Sequence, residues 1–266
     1  MSNAKVNGVE LYYEVYGEGD PFVLIHGADA TLKNWSKQVF VFSKKHQVIL
    51  YDNRGFGRSE APEKGYSRDI YADDLHGLLH HLGIHKASIL GYSMGGGTAL
   101  SFTLKYQEMV KALILVDTGT GGFTIDEERR KRMLTSMELA KTRGMGEVFD
   151  LTMDVFSPDF MKSYPEEVNR YRTFFAENSA ESYVRRAQES LSNPNPPQDL
   201  APRLSEIKVP TLLIFGELDT AFPNADLFHK GIPHAQLLSI PNCGHATYFE
   251  QPELFNETVL KFLEKV

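Results

Sequence analysis

Short apolar runs, each closed by glycine, proline or aspartate, alternate with segments of helical periodicity along most of this chain. That alternation dictates βα units and a mostly parallel sheet, because a strand covered by helices on both faces reads as a continuous apolar stretch. Six runs suit such strands: Phe22 to His26, Gln47 to Asp52, Ala87 to Tyr92, Ala112 to Asp117, Thr211 to Phe215 and Gln236 to Ile240. The earlier Val9 to Tyr16 alternates and is rich in Tyr and Val, which predicts an antiparallel edge strand. Ser2, Asn3 and Ala4 in front of it read as an expression-tag remnant and are set aside.

Helices fill the gaps. Asp69 to Leu82 places Ile70, Leu75, Leu78, Leu79 and Leu82 along one stripe, and Leu254, Phe255, Val259, Phe262 and Leu263 do the same after Pro252, a residue suited to the first helical position. A shorter helix ends at Gly231, with Pro233 as its stop signal. The alternation breaks between Thr118 and Ile207, where helical segments are separated by Gly144, Gly146, Pro158, Pro165 and the Asn193 to Pro197 run. The expectation is a core of residues 1–118 and 207–266 with a helical cap of 119–206. A chain of 266 residues is long enough for one large α/β domain carrying such an insertion.

Composition excludes several function classes. A formal charge of −7 disfavours a nucleic-acid backbone or an anionic membrane as partner. The basic run Arg129 to Arg132 follows Glu127 and Glu128 and reads as a solvated helix face of mixed charge. With Cys243 as the one cysteine, no internal disulfide can form. The N-terminus has no apolar leader-like segment and no run has the length of a membrane span, so a cytoplasmic location is expected.

Chemistry concentrates at strand ends. The run Ala87 to Tyr92 leads directly into Gly91-Tyr92-Ser93-Met94-Gly95 and then a helical segment. A G-x-S-x-G sequence at a strand-to-helix junction holds its serine on a strained turn, where side chains two residues away on either side would clash. The helix that follows points its N–H groups at the place where negative charge develops. A phosphate-binding loop is the competing reading, but it lacks both the Walker lysine and the G-x-G-x-x-G spacing.

A serine hydroxyl needs a base, and the base needs a carboxylate to fix its tautomer. Asp219 follows the Thr211 to Phe215 strand, and His245 follows Gln236 to Ile240, so Ser93, Asp219 and His245 can converge at the carboxyl ends of the strands. Asp117, also at a strand end, and Glu217 compete with Asp219 for the role of acid. Ala28, in the His26-Gly27-Ala28-Asp29 loop, and Met94 are the expected backbone donors to an oxyanion, with His26 propping the loop. Cys243 reads as a packed small side chain. His76, His80 and His81 share helical spacing but have no third ligand nearby, so a metal site is not expected.

With these residues in place the sequence resembles the α/β-hydrolase family over nearly its whole length. His26-Gly27, the Asp52 to Ser59 loop, Gly91 to Gly96, Gly216 to Asp219 and Gly244-His245 carry the resemblance. It implies an α/β fold with an eight-stranded, mostly parallel sheet, helices on both faces and a helical cap, and it makes the loop containing Arg54 structural. The capped branch of carboxylesterases, lactonases and cofactor-free haloperoxidase-like enzymes is the most similar. Ser93 stands where haloalkane dehalogenases and epoxide hydrolases have Asp, and Ala246 stands where carbon–carbon bond hydrolases of aromatic catabolism tend to have Trp.

The expected function is therefore that of a serine hydrolase cleaving small to medium, uncharged carboxylic esters or lactones through an acyl-enzyme. It needs no metal or organic cofactor, and a homodimer is left open. One alternative is a carbon–carbon hydrolase or peptidase with the same three residues and a cationic anchor from Arg143, Arg170, Arg172, Arg185 or Arg186. Another is a ligand-binding signalling protein with slow turnover. The methionines and phenylalanines of 119–206, Phe123 and Met153 among them, either pack that segment onto the core or line an apolar pocket.

Overall fold

A computed structural model, describing all residues except 1, 29, 123, 153 and 194–197, gathers the apolar runs into one eight-stranded sheet of order β1-β2-β4-β3-β5-β6-β7-β8. β1 (Ser2–Val6) and β2 (Val9–Tyr16) are antiparallel, and β2 runs antiparallel to β4 (His46–Tyr51). β3 (Asp20–Ile25), β4, β5 (Ala87–Tyr92), β6 (Val110–Val116), β7 (Thr211–Gly216) and β8 (Gln236–Ile240) are mutually parallel. His26, Asp52 and Asp117 lie just past the ends of β3, β4 and β6, where their side chains are available to loops.

One expectation is corrected at the sheet's edge. Val9–Tyr16 is the second strand, flanked on both sides, and the edge is β1. Ser2, Asn3 and Ala4, set aside as an expression-tag remnant, pair with Tyr13, Tyr12 and Leu11, and the Ala4 side chain is fully buried. The reason is local: Asn7 and Gly8 both take positive φ and fold the two segments into a hairpin.

Alternate residues of each central strand feed two apolar clusters, one on each face. Phe22, Leu24, Val48, Leu50, Ile114 and Val116 meet α1 (Val39–Phe42) and the C-terminal α11 (Pro252–Leu263). Val23, Ile25, Ile49, Leu113 and Leu115 meet α2 (Arg68–His81), α3 (Met94–Lys105) and α9 (Asn224–Gly231). The period of two along a strand is what delivers successive side chains to opposite faces.

Between β6 and β7 come α4 (Glu127–Arg143), α5 (Met145–Thr152), α6 (Pro158–Ser163), α7 (Pro165–Ala176) and α8 (Ala180–Ser192). Among the described residues, no strand lies within this stretch. The inserted helices share one continuous cluster with the first face, Met137, Met145, Phe149, Phe156 and Phe175 joining Trp35 and Tyr248. Phe123 and Met153 lie outside the described residues. Leu200 and Leu204 leave that cluster and pack on the other face beside Phe228 and Ile232. The last short helix, α10 (Thr247–Glu250), links the β8 loop to α11.

Because β1 belongs to the fold, Ala4→Asp places an unpaired charge in the core and is expected to cost about 3 kcal/mol or more. Asn3→Asp, on the exposed face of the same strand, should stay within about 0.5 kcal/mol. Urea unfolding of the two variants checks the pair; equal stabilities would show that β1 is not docked.

Candidate active site

Strand order reverses around β3, whose partners are β4 on one side and β5 on the other, so the loops leaving β3 and β5 open a crevice between them. Ser93 bridges β5 and α3 with φ 52° and ψ −117°, a conformation that costs a non-glycine residue on the order of 1–3 kcal/mol. The flanking glycines make it possible. A β-carbon on Gly91 would lie 2.2 Å from the Gly95 carbonyl oxygen, and one on Gly95 would lie 2.4 Å from that of Ile25. Ser93 N–H donates to the Val116 carbonyl at 2.9 Å, and the Ser93 carbonyl accepts from Thr118 Oγ1 at 2.7 Å. Thr118 was not singled out in the sequence; its position just past a strand end is the signal that could have found it.

The structure brings the three residues singled out at strand ends together. In the neutral imidazole, His245 Nε2 accepts from Ser93 Oγ at 2.9 Å while Nδ1–H donates to Asp219 Oδ2 at 2.9 Å. Asp219 is buried, whereas Ser93 and His245 are partly exposed to the crevice. Asp219 sits on a turn in which its N–H donates to the Gly216 carbonyl at 3.1 Å and its Oδ1 accepts from Ala221 N–H at 3.0 Å. A β-carbon on Gly216 would stand 2.1 Å from the Gly244 carbonyl oxygen, so the loops bearing Asp219 and His245 touch backbone to backbone. Burial alone would lower the His245 pKa. The hydrogen bond and charge of Asp219, with a further contribution from Asp117, outweigh that and raise it.

The rival acids take other places. Glu217 is exposed. Asp117 is fully buried at the end of β6, where Oδ1 accepts from Gly216 N–H at 2.9 Å and Oδ2 meets Thr247 Oγ1 at 2.6 Å. Burial, reinforced by the charge of Asp219, pushes its carboxyl up to about 8, against the opposing pull of His245 and its hydrogen bonds. Asp219, not Asp117, is the carboxylate hydrogen-bonded to the imidazole.

Ala28 lies exposed on the turn after β3, and Met94 is the first residue of α3, whose N–H has no partner within the helix. Asp29 lies outside the described residues. His26 has Nδ1 at 2.8 Å from the Gly27 carbonyl and accepts the Asn53 N–H on Nε2 at 3.0 Å. Burial lowers its pKa to about 4, which keeps it a neutral prop between two loops. The ring of Tyr92 fills the space beside Gly27, 2.7 Å from where a β-carbon would be, and packs against His245 with ring centroids 5.1 Å apart.

Other residues considered in the sequence have structural partners. Arg54 is buried and forms a two-point ion pair with Asp74 of α2 at 2.5 Å. Cys243 is buried, and its thiol is pushed well up by that burial. His76 stacks on Tyr106 at 4.3 Å, while His80 and His81 are exposed. No group of three His, Cys, Asp or Glu suited to a metal occurs among the described residues, and no helix among them is long and apolar enough to cross a membrane.

Comparison with known proteins agrees with this fold. The profile of the alpha/beta hydrolase fold family matches residues 20–252. A 2-hydroxy-6-oxononadienedioate/2-hydroxy-6-oxononatrienedioate hydrolase of Escherichia coli (strain K12 / DH10B) is 30% identical over 271 residues, covering 97% of this chain and 92% of that protein. The crystal structure of the enol-lactonase from Burkholderia xenovorans LB400 aligns with a TM-score of 0.86 at 28% identity, covering 99% of this chain and 100% of that one. A thermophilic esterase from Thermogutta terrifontis aligns with a TM-score of 0.88 at 28% identity, covering 100% of this chain and 99% of the other.

If the Asp219 carboxylate raises the imidazole, Asp219→Asn should lower the His245 pKa, because the charge that favours imidazolium is gone. Histidine titration followed by NMR checks this; an unchanged or higher value would place the source of the shift elsewhere.

Proposed function

The chain belongs to the α/β-hydrolase fold family, and on that premise we propose that it is a serine hydrolase cleaving carboxylic esters or lactones of small to medium, uncharged substrates. One observation carries the proposal: a single imidazole stands at 2.9 Å from both the Ser93 hydroxyl and the Asp219 carboxylate. Ser93 Oγ attacks the substrate carbonyl while His245 Nε2 takes its proton. The oxyanion of the tetrahedral intermediate sits between the Ala28 and Met94 N–H groups, at the positive end of α3. Collapse expels the alcohol, protonated by His245, and leaves an acyl group on Ser93. A water then repeats the sequence with His245 as base and releases the acid. In a lactone the alcohol stays tethered to the acyl chain until that second half. Asp219 remains ionised and holds the imidazole in the tautomer that the first step requires.

We assign α4–α8 as the cap over this site. Four of the five arginines considered as anchors have other engagements, which supports an uncharged substrate. Arg172 pairs with Asp150 at 2.8 Å, Arg170 with Glu167 at 3.8 Å, and Arg185 donates to the Ala61 carbonyl at 2.8 Å. Arg186 lies over the Phe56 ring at 3.7 Å and donates to the Gly55 carbonyl. Arg143 is exposed at the end of α4. The likeness to an enol-lactonase and an esterase supports ester or lactone cleavage. Carbon–carbon bond hydrolysis is the second reading, favoured by the identity to the Escherichia coli hydrolase and by Arg186, which is buried.

Ser93→Ala is expected to cut kcat by about 10⁶ and Asp219→Asn by about 10⁴. A fluorophosphonate should label Ser93; labelling of Cys243, or full activity in Ser93→Ala, sinks the mechanism.

Across p-nitrophenyl esters from acetate to dodecanoate, kcat/KM should rise by up to about 0.8 kcal/mol per methylene and peak at short to medium chains. Dicarboxylate monoesters that outrun their neutral analogues would decide for a cationic anchor and the carbon–carbon reading.

A further inference from the structure

The segment leading from α5 into α6 lies directly on the loop that carries His245. The backbone N–H groups on either side of the histidine are both engaged there. Ala246 N–H donates to the Val155 carbonyl at 2.9 Å. Gly244 N–H donates to Glu250 Oε1 at 2.9 Å. The same carboxylate accepts Ser157 N–H at 3.0 Å on Oε1 and Ser157 Oγ–H at 2.6 Å on Oε2, across 93 positions of sequence. Ser157 Oγ in turn caps α6 by accepting Phe160 N–H at 3.2 Å. No space separates the two segments, since a β-carbon on Gly244 would stand 2.8 Å from the Phe156 carbonyl carbon and from the Ser157 nitrogen.

Glu250 is 7% exposed, and each of these three donors is neutral. Burial raises its carboxyl against the pull of those hydrogen bonds. A buried carboxylate in neutral company is costly, and the chemistry proposed for Ser93 and His245 makes no use of it. Its geometry supplies the use. One carboxylate grips the residue before the base and the first turn of an inserted helix together, while the residue after the base is held by the same segment.

We propose that Glu250 is a positioning residue for His245: its carboxylate fixes the imidazole's loop to the Val155 to Ser157 segment, so that the inserted helices and the base move as one unit. Displacing that segment drags Gly244 and Ala246 with it and swings Nε2 away from Ser93 Oγ. The alignment of the base is thus conditional on the inserted helices being seated. The inference rests on the reading of His245 as the base of a serine hydrolase.

The test compares Glu250→Ala, Glu250→Gln, Ser157→Ala and the double alanine variant by ester kinetics, by the rate of fluorophosphonate labelling at Ser93, and by thermal unfolding. Glu250→Ala should lower kcat and the labelling rate about 10²-fold with KM nearly unchanged, the loss typical of a displaced catalytic group. Ser157→Ala should lose about tenfold, one hydrogen bond's worth. The double variant should be no worse than Glu250→Ala, because both substitutions break one tie. Glutamine can accept both N–H groups on its oxygen and donate to Ser157 Oγ, so Glu250→Gln should recover most of the rate. A Glu250→Ala variant that is less heat-stable yet turns over and labels like the wild type overturns the inference, as does a glutamine variant no better than alanine. Should Glu250→Ala not fold, an unchanged kcat in Ser157→Ala overturns it equally. A wild-type chain that the probe leaves unlabelled overturns the reading of the site and this inference with it. Normal labelling of both wild type and Glu250→Ala overturns this inference alone.

Discussion

The left-handed backbone of Ser93 is the constraint on which the rest of the site depends. A non-glycine residue holds φ 52° only where its surroundings leave no alternative, and here three strand ends supply that insistence. The Val116 carbonyl takes the Ser93 N–H, and Thr118 donates to the Ser93 carbonyl. The Gly95 backbone is wedged against the carbonyls of Ile25 and His26. The turn is therefore a junction of β3, β5 and β6 as much as a feature of its own five residues. Its strain is tolerated because the buried sheet beneath is rigid, and the result is a hydroxyl lifted into a crevice with a helix N-terminus behind it.

Electrostatics around that hydroxyl are arranged by burial as much as by charge. Two carboxyls, Asp117 and Asp219, lie near one imidazole, and they are held in different ways. Asp219 accepts from Nδ1–H. Asp117 is pushed up to about 8, foremost by burial, and struts Gly216 to Thr247 through its two oxygens.

Proteins similar to this chain include an esterase, an enol-lactonase and a 2-hydroxy-6-oxononadienedioate/2-hydroxy-6-oxononatrienedioate hydrolase, so the fold cannot by itself select a substrate. Under the proposed function, selection falls to the inserted helices. Their apolar cluster runs without a break into that of the sheet, through Phe156, Tyr171, Tyr248 and Trp35. Their polar ties, Asn178 to Gly57 N–H and Glu189 to the N–H groups of Gly65 and Tyr66, grip the loops beyond β4. The insertion is thus packed on the sheet and tied to the loops beyond β4.

Several features were legible in the sequence because they are local. Each central strand announced itself by a short apolar run, and Ser93, Asp219 and His245 each stand within a few residues of a strand's carboxyl end. The glycines that make their loops possible are likewise neighbours in sequence, as Gly91 and Gly95 are to Ser93 and Gly244 is to His245. Tertiary structure alone decided the rest. Asp117 and Asp219 follow adjacent parallel strands and look alike in sequence; only the packed sheet shows which one reaches Nδ1. The β1 strand was hidden because its pairing is worth nothing until Ala4 has a core to enter. The tie from Glu250 to Ser157 was invisible for the same reason. A carboxylate's partner 93 residues away leaves no periodicity or spacing to read, since the contact exists only when folding has brought two distant backbones together and expelled the water between them.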